Sequence, residues 1–382
     1  MRQLKEAVVL RCAVKIITAV SLVFGCSSLT ASKVPHFKIE FDTLKIGTCD
    51  GVTNFAFTLL KDVDTIRTFD CAHMTFYSAT DSLKVRAEEK FVPIVIEGAT
   101  RTLHLTCWFA LSEDRYDEFV AILRDYPEFG HAQPPMQVEF AYANSKDPNL
   151  EELREKYKLD QVAGSGSEVS RIINLMEWVH KKIPHDGEHG GPLPANSLNI
   201  LKVNEETDRA VNCRSLATVL NEVYLSEGFV SRHLTCLPKD TTDVDCHVVN
   251  MVWCDSLSKW LYMDPTNQVY FMDEDGVIMS PLEVREAFIA GTTADLDTEA
   301  DYNGTPLNPI QYKGYMAKNL FSFSVPLKSV FGYESLPGDL AWVYLNPVGY
   351  ESKRVGHAES SKGKSGTYTD YITDNATWFW GR

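Results

Sequence analysis

Apolar positions recur at helical spacing most clearly over residues 213–226. Leu216, Ala217, Leu220 and Tyr224 follow Cys213 by three, four, seven and eleven places, so all five share one face of a helix. Asn212 can cap its start and Gly228 can stop its end, which puts the Cys213 thiol at a helix N-terminus, facing inward. Two strand-like runs follow, residues 246–253 and 258–264, joined by residues 254–257. Closed symmetrically on that loop as an antiparallel hairpin, opposed residues have numbers summing to 511. His247 then lies beside Asp264 on one sheet face, with Cβ atoms about 5 Å apart. A one-residue slip would put the two on opposite faces.

The same patterns divide the rest of the chain. Phe37, Ile39 and Phe41 alternate with polar residues, as do Leu103, Leu105 and Cys107, and Met136, Val138 and Phe140. They predict an N-terminal mostly-β domain, α+β or sandwich-like, over residues 37–145. One helix at 114–126 interrupts it, with Tyr116, Phe119, Val120 and Leu123 on one face. Residues 146–167 read as a linker, with a short charged helix over 150–158 and a flexible Gly164-Ser-Gly-Ser167 joint. A second domain is expected over 168–305. It begins with a helix at 168–182 that turns Ile172, Met176 and Val179 inward, followed by a Gly/Pro/His loop at 183–194. After the hairpin, Ser280-Pro-Leu-Glu283 forms a capping box for a helix that ends near Gly291. Apolar runs at 320–325 and 340–345 suit strands in a β-rich extension, residues 306–382, that completes or flanks the second domain. The fold class expected is α+β.

Composition changes the picture at the N-terminus. Arg2, Lys5, Arg11 and Lys15 precede an apolar core at 16–24 that is too short to span a bilayer comfortably. Val23-Phe-Gly-Cys26 resembles the bacterial lipobox, so residues 1–25 read as a lipoprotein signal peptide, Cys26 as the lipidated residue and 26–36 as a tether. The expected location is the cell envelope, with the protein lipid-anchored to the outer membrane of a two-membrane bacterium and facing periplasm or exterior. Removing four basic residues and one acid from 37 and 52 leaves 33 Lys and Arg against 51 Asp and Glu, a formal charge of −18. That balance argues against nucleic acid as a partner and leaves the lipid anchor as the only membrane contact. Of nine cysteines, loss of Cys12 and lipidation of Cys26 leave an odd seven, so at least one thiol stays free.

A cysteine at a helix N-terminus, a histidine and an acid in that order are what thiol catalysis needs. The helix dipole and a neighbouring imidazolium favour the thiolate, and Asp264 would orient His247 and stabilise its charged form. Asp264→Asn is accordingly expected to keep the hairpin, since an amide still hydrogen-bonds, while removing the anion. Asn212-Cys-Arg-Ser-Leu-Ala217, Asp245-Cys-His-Val-Val-Asn250 and Trp260-Leu-Tyr-Met-Asp-Pro-Thr-Asn267 resemble the transglutaminase-like family of the papain-like superfamily, over roughly residues 172–270. Val211 stands where that family commonly has Gly, and Val248-Val249 where it has a small residue then Trp. The resemblance implies a papain-like core with Cys213, His247 and Asp264 as catalytic residues of a thiol-dependent amide or peptide hydrolase or acyl transferase. It needs no cofactor or metal and acts on a peptide or protein substrate. Trp178, His185, Asp186 and Asn212 are candidates for substrate contacts, and the second oxyanion donor is left to Trp178 or the 183–194 loop. Two other readings stay open: a non-catalytic binding or assembly module, and a zinc hydrolase using His185, His189 or the cluster Cys236, Cys246, His247 and Cys254.

Overall fold

The computed structural model describes residues 34–41, 43–48, 51–52, 57–58, 65–69, 71–131, 139–241, 243, 245–350, 358–362 and 366–382. Cys26 and the leader lie outside them, as do Met136 and Val138. The chain is a mixed α/β protein with several sheets, consistent with α+β, and it separates into two compact units at Phe109/Ala110. Among the described residues no helix is long and apolar enough to cross a membrane.

Among the described residues, the regular elements of the first unit are all strands. One sheet has the order His36–Lys38, Phe91–Glu97, Thr102–Ala110, Thr65–Phe69. The other has the order Gly51–Val52, Thr43–Thr48, His73–Tyr77, Ser82–Arg86, with Phe57–Thr58 also on Thr43–Thr48. Phe37, Ile96 and Cys107 from the first sheet share one core with Ile46, Met74 and Phe76 from the second, so two inward faces bury each other. Phe37 and Ile39 are buried as the alternation predicts, but Phe41 is exposed at the end of that run. Cys71 is disulfide-bonded.

The second unit begins earlier than the sequence pattern suggests. Helix α1 (Ser112–Asp125) does not interrupt the N-terminal sheets. Tyr116 meets Phe288 edge-on at 5.3 Å and the Arg124 Nε–H donates to the Ile289 carbonyl at 2.8 Å, which ties α1 to residues far along the chain. The segment 146–167 is not a linker either. It holds α2 (Pro148–Tyr157) and α3 (Leu159–Ala163), whose Leu150, Leu153, Leu159 and Ala163 are fully buried despite the charged residues between them. The remaining helices are α4 (Glu168–Lys182), α5 (Ser197–Thr207), α6 (Cys213–Ser226), α7 (Pro281–Ala290), α8 (Pro309–Asn319) and the short α9 (Ala376–Phe379). The capping box on α7 is formed, and Gly291 ends that helix at φ 73°.

The unit's centre is a seven-stranded sheet. Its strands are β1 (Ser231–Leu237), β2 (His247–Cys254), β3 (Lys259–Met263), β4 (Ser322–Pro326), β5 (Leu340–Leu345), β6 (Ala358–Lys362) and β7 (Thr367–Thr373), in the order β3-β2-β1-β4-β5-β7-β6. Only β5 and β7 pair in parallel. Residues 306–382 therefore add strands to the same sheet that carries His247. Helices cover both faces. Val249, Met251, Trp260 and Tyr262 pack with α1, α7 and α8, while Val252, Cys254, Leu261 and Met263 pack with α2 to α6. This is why β1 and β2 are apolar on both sides and lack strict alternation.

Candidate active site

Helix α6 starts as its sequence requires. The Asn212 side chain accepts from the Ser215 amide at 3.1 Å and from the Ser215 hydroxyl at 2.9 Å, and Cys213 is the first helical residue. From Ser215 onward the helix is buried, whereas Cys213 is only half-buried. The segment before it is held by the 183–194 loop. The Asp186 amide donates to the Val211 carbonyl at 2.9 Å, Val211 to Pro184 at 3.1 Å and Asn212 to His189 at 2.8 Å.

The hairpin register differs from the symmetric closure. Trp253 faces Trp260 and Cys254 faces Lys259, so opposed numbers sum to 513, because Cys254 stays in strand β2 and Ser258 turns the chain at φ 54°. The shift is two residues, which preserves the face on which every side chain lies. His247 and Asp264 are thus diagonal neighbours on the same face. The His247 Nε2–H donates to Asp264 Oδ2 at 2.8 Å. With Nε2 engaged, Nδ1 is the ring nitrogen left for the thiol.

Asp264 is fully buried and surrounded by donors. Oδ2 also accepts from Asn267 Nδ2 at 2.9 Å and from the Tyr312 hydroxyl at 2.7 Å, and Oδ1 accepts from the Thr266 amide at 2.8 Å. Tyr312 in turn meets the Tyr262 hydroxyl at 2.6 Å, and Tyr315 stands edge-on to His247 at 5.4 Å. Burial favours the neutral acid, but the His247 charge and the hydrogen bonds outweigh it and hold the carboxyl at about 2. Burial likewise disfavours a charged His247. The Asp264 charge and hydrogen bond, followed by the contact with Cys213, hold the ring well above its ordinary value.

The thiol completes this chain of contacts. Burial works against its ionisation, yet hydrogen bonds from the His185 and His247 rings, the His247 charge and the Val248 backbone amide draw it down to about 6. Among the described free cysteines this direction is peculiar to Cys213. Burial pushes Cys107 up to about 12 and raises Cys236, Cys246 and Cys254. A thiol poised to ionise, beside a charged imidazole backed by a buried carboxylate, can act as a nucleophile near neutral pH.

Of the four candidate substrate contacts, His185 is the one whose ring bears on the ionisation of the thiol. Trp178 packs on Tyr157 at 5.6 Å between ring centroids, within the helical cluster. Asp186 closes its own loop, accepting from the Glu188 amide at 2.9 Å and from His189 Nδ1 at 2.6 Å, and Asn212 serves as the helix cap. His185 and His189 therefore have different partners. Among the described residues no group of three or more His, Cys, Asp or Glu side chains is arranged to hold a metal ion. Pro184 and Asn303, which adjoin and clamp His185, line a cavity of about 550 Å³. The sequence reading missed Asn267, Tyr312 and Tyr315 as partners of the acid and the imidazole. Asn267 carried a signal, since it closes the Asp-Pro-Thr-Asn run, whereas Tyr312 and Tyr315 come from a helix some fifty residues away.

No protein-family model matches the chain, and no curated protein matches it. Among solved structures, it is similar to a proposed cysteine protease from Cytophaga hutchinsonii, at 15% identity over 42% of this chain and a TM-score of 0.25. It is also similar to red sea bream transglutaminase, at 12% identity over 61% of this chain and a TM-score of 0.24. The alignments span about half of those proteins, 55% and 47% of their lengths.

Proposed function

We propose that the protein is a thiol acyl-transfer enzyme of transglutaminase-like type, acting on amide or peptide bonds, with Cys213 as nucleophile, His247 as proton carrier and Asp264 as its orienting acid. The observation that carries the reading is the contact chain from Asp264 through His247 to a thiol drawn down to about 6, while burial pushes the other described free thiols up. In this reading the Cys213 thiolate attacks the amide carbonyl. A carbon–sulfur bond forms and the carbonyl electron pair moves to oxygen. When the tetrahedral adduct collapses, the His247 Nδ1–H protonates the departing amine as the carbon–nitrogen bond breaks. His247, now neutral, takes a proton from water or an acceptor amine that attacks the thioester, and thiolate and imidazolium are restored. The Cys213 backbone N–H, free at the first turn of α6, supplies one donor to the oxyanion. Hydrolysis is the favoured outcome and transfer to an amine the alternative.

Acylation of the full chain by p-nitrophenyl acetate tests this. The expected result is one acetyl group on Cys213, read by peptide mass spectrometry, absent in Cys213→Ala and strongly slowed in His247→Ala. Equal acetylation of Cys213 in wild type and His247→Ala would reject the reading and favour a fold retained as a binding module.

A further inference from the structure

We propose that His185 is the second oxyanion donor, its Nε2–H pointing at the oxygen of the carbonyl that Cys213 attacks; this rests on the acyl-transfer reading above. Three observations carry it. His185 bridges to Val211, two residues before Cys213, and its ring is among the groups that draw the thiol down, so a carbonyl carbon bonded to that sulfur brings its oxygen towards the same ring. The other ring nitrogen is occupied, with Nδ1 at 3.0 Å from the Tyr302 hydroxyl and the two rings edge-on at 5.5 Å between centroids. With Tyr302 donating to Nδ1, the ring hydrogen sits on Nε2, the nitrogen left for the substrate.

The backbone is clamped as well. The His185 amide donates to Asn303 Oδ1 at 2.9 Å, Asn303 Nδ2 donates back to the His185 carbonyl at 3.0 Å, and His185 bridges to Val211, two residues before the nucleophile. Preorganisation of this kind is what an oxyanion donor needs, because its hydrogen bond must already be aimed when charge develops. A substrate-contact loop without that role would not require the amide, the carbonyl and the far ring nitrogen of one residue all to be held. His247 cannot fill the role, since its Nδ1–H is the proton delivered to the leaving amine. His185 and the Cys213 amide then approach the oxyanion from the loop and from the helix start, which are hydrogen-bonded to each other through Val211 and Asn212.

Two reagents separate this role from an effect on the thiolate. Iodoacetamide alkylates the thiolate by displacement at a saturated carbon and develops no oxyanion, whereas p-nitrophenyl acetate must form one. Rates at Cys213 are measured with both on the full chain for wild type, His185→Leu and His185→Gln. These variants have similar bulk, and only Gln keeps an N–H donor. His185→Leu should lower the ratio of acetylation to alkylation by at least about tenfold, within the hundred- to thousand-fold range typical of a lost oxyanion donor. His185→Gln should recover most of that loss. Tyr302→Phe should lower the ratio in the same direction by a smaller factor, and it carries the test if either His185 variant fails to unfold cooperatively. A ratio unchanged in His185→Leu, or equal in the Leu and Gln variants, overturns the assignment. Failure of wild-type Cys213 to react with p-nitrophenyl acetate would instead remove the acyl-transfer reading itself.

Discussion

Replacing Asp264 by Asn probes the buried end of the contact chain, and the amide is less innocent there than its shape suggests. All four hydrogen bonds of the Asp264 carboxylate are accepted ones: three donors converge on Oδ2 and the Thr266 amide on Oδ1. An Asn side chain offers one oxygen and one NH2, so either orientation sets an N–H against at least one of these donors, with no water to relieve it at a fully buried residue. The charge-assisted bond to His247 is also lost. An unsatisfied buried donor costs about 1–3 kcal/mol and the loss of charge assistance adds on the order of 1 kcal/mol, for a destabilisation of about 2–4 kcal/mol. The depressed carboxyl agrees in scale, since its fall from 3.8 to about 2 corresponds to about 2 kcal/mol. In a unit of this size the melting temperature should fall by roughly 5–15 °C. A carboxyl depressed in the folded state stabilises above its unfolded value and stops doing so as pH falls through its folded value. The gap between wild type and Asp264→Asn should therefore be full above about pH 4 and close towards pH 2. Urea unfolding at several pH values gives the gap, and alkylation of Cys213 should move to higher pH in the variant. An unchanged melting temperature together with an unchanged alkylation profile would refute the reasoning.

Other consequences are open to direct measurement. Glu222 is buried, and burial pushes it up to about 7 against hydrogen bonds from Ser197 and Gly332, so wild-type stability should fall as pH rises from 4.5 to 7; Glu222→Gln should flatten that slope in urea titrations. A Cβ added at Gly191 would lie 2.6 Å from Ser215 Oγ, the hydroxyl bonded to the α6 cap, so Gly191→Ala should cost about 1–3 kcal/mol and slow Cys213 alkylation; a neutral variant would show that the loop yields freely. Tyr312→Phe deletes one donor to Asp264 and should cost about 1 kcal/mol without abolishing acylation, as read by thermal unfolding and p-nitrophenyl acetate turnover. We further propose that Cys26 carries a lipid anchor, in which case Cys26→Ala should move the protein from the detergent phase to the aqueous phase, and persistence in the detergent phase would argue against it.

The parts of this site legible in the sequence were the local ones. Asn212, the three-and-four spacing after Cys213 and Gly228 mark a helix through contacts within a few residues, and the structure reproduces its ends. The shared face of His247 and Asp264 survived an error of two in register because strand faces repeat every second residue. That error arose at Ser258, whose left-handed conformation no glycine or asparagine announces. The donors around Asp264 were harder to see, since Tyr312 reaches it from a helix that sequence alone could not dock. For the same reason the sequence pattern assigns α1 to the N-terminal domain and α2 and α3 to a linker, whereas all three belong to the second unit. Their buried leucines are spaced among charges, and only the partners that cover them reveal them as core. His185 lies in a segment whose Gly and Pro content marks it only as loop. Its influence on the thiol depends on the pairing of that loop with Val211 and Asn212.

The pH dependence of Cys213 alkylation by iodoacetamide, followed peptide by peptide in the wild-type chain, tests the central claim most directly. A thiol drawn down to about 6 should give a rate that rises through a midpoint near pH 6 and is level by pH 7.5. At pH 6.5 about three-quarters of it would be thiolate, against roughly 1% for an ordinary thiol of pKa about 8.5. After allowance for the weaker nucleophilicity of a more acidic thiol, Cys213 should react roughly five to ten times faster than an accessible ordinary cysteine at that pH. A profile still rising through pH 8, with its midpoint at 8.5 or above, would contradict the account.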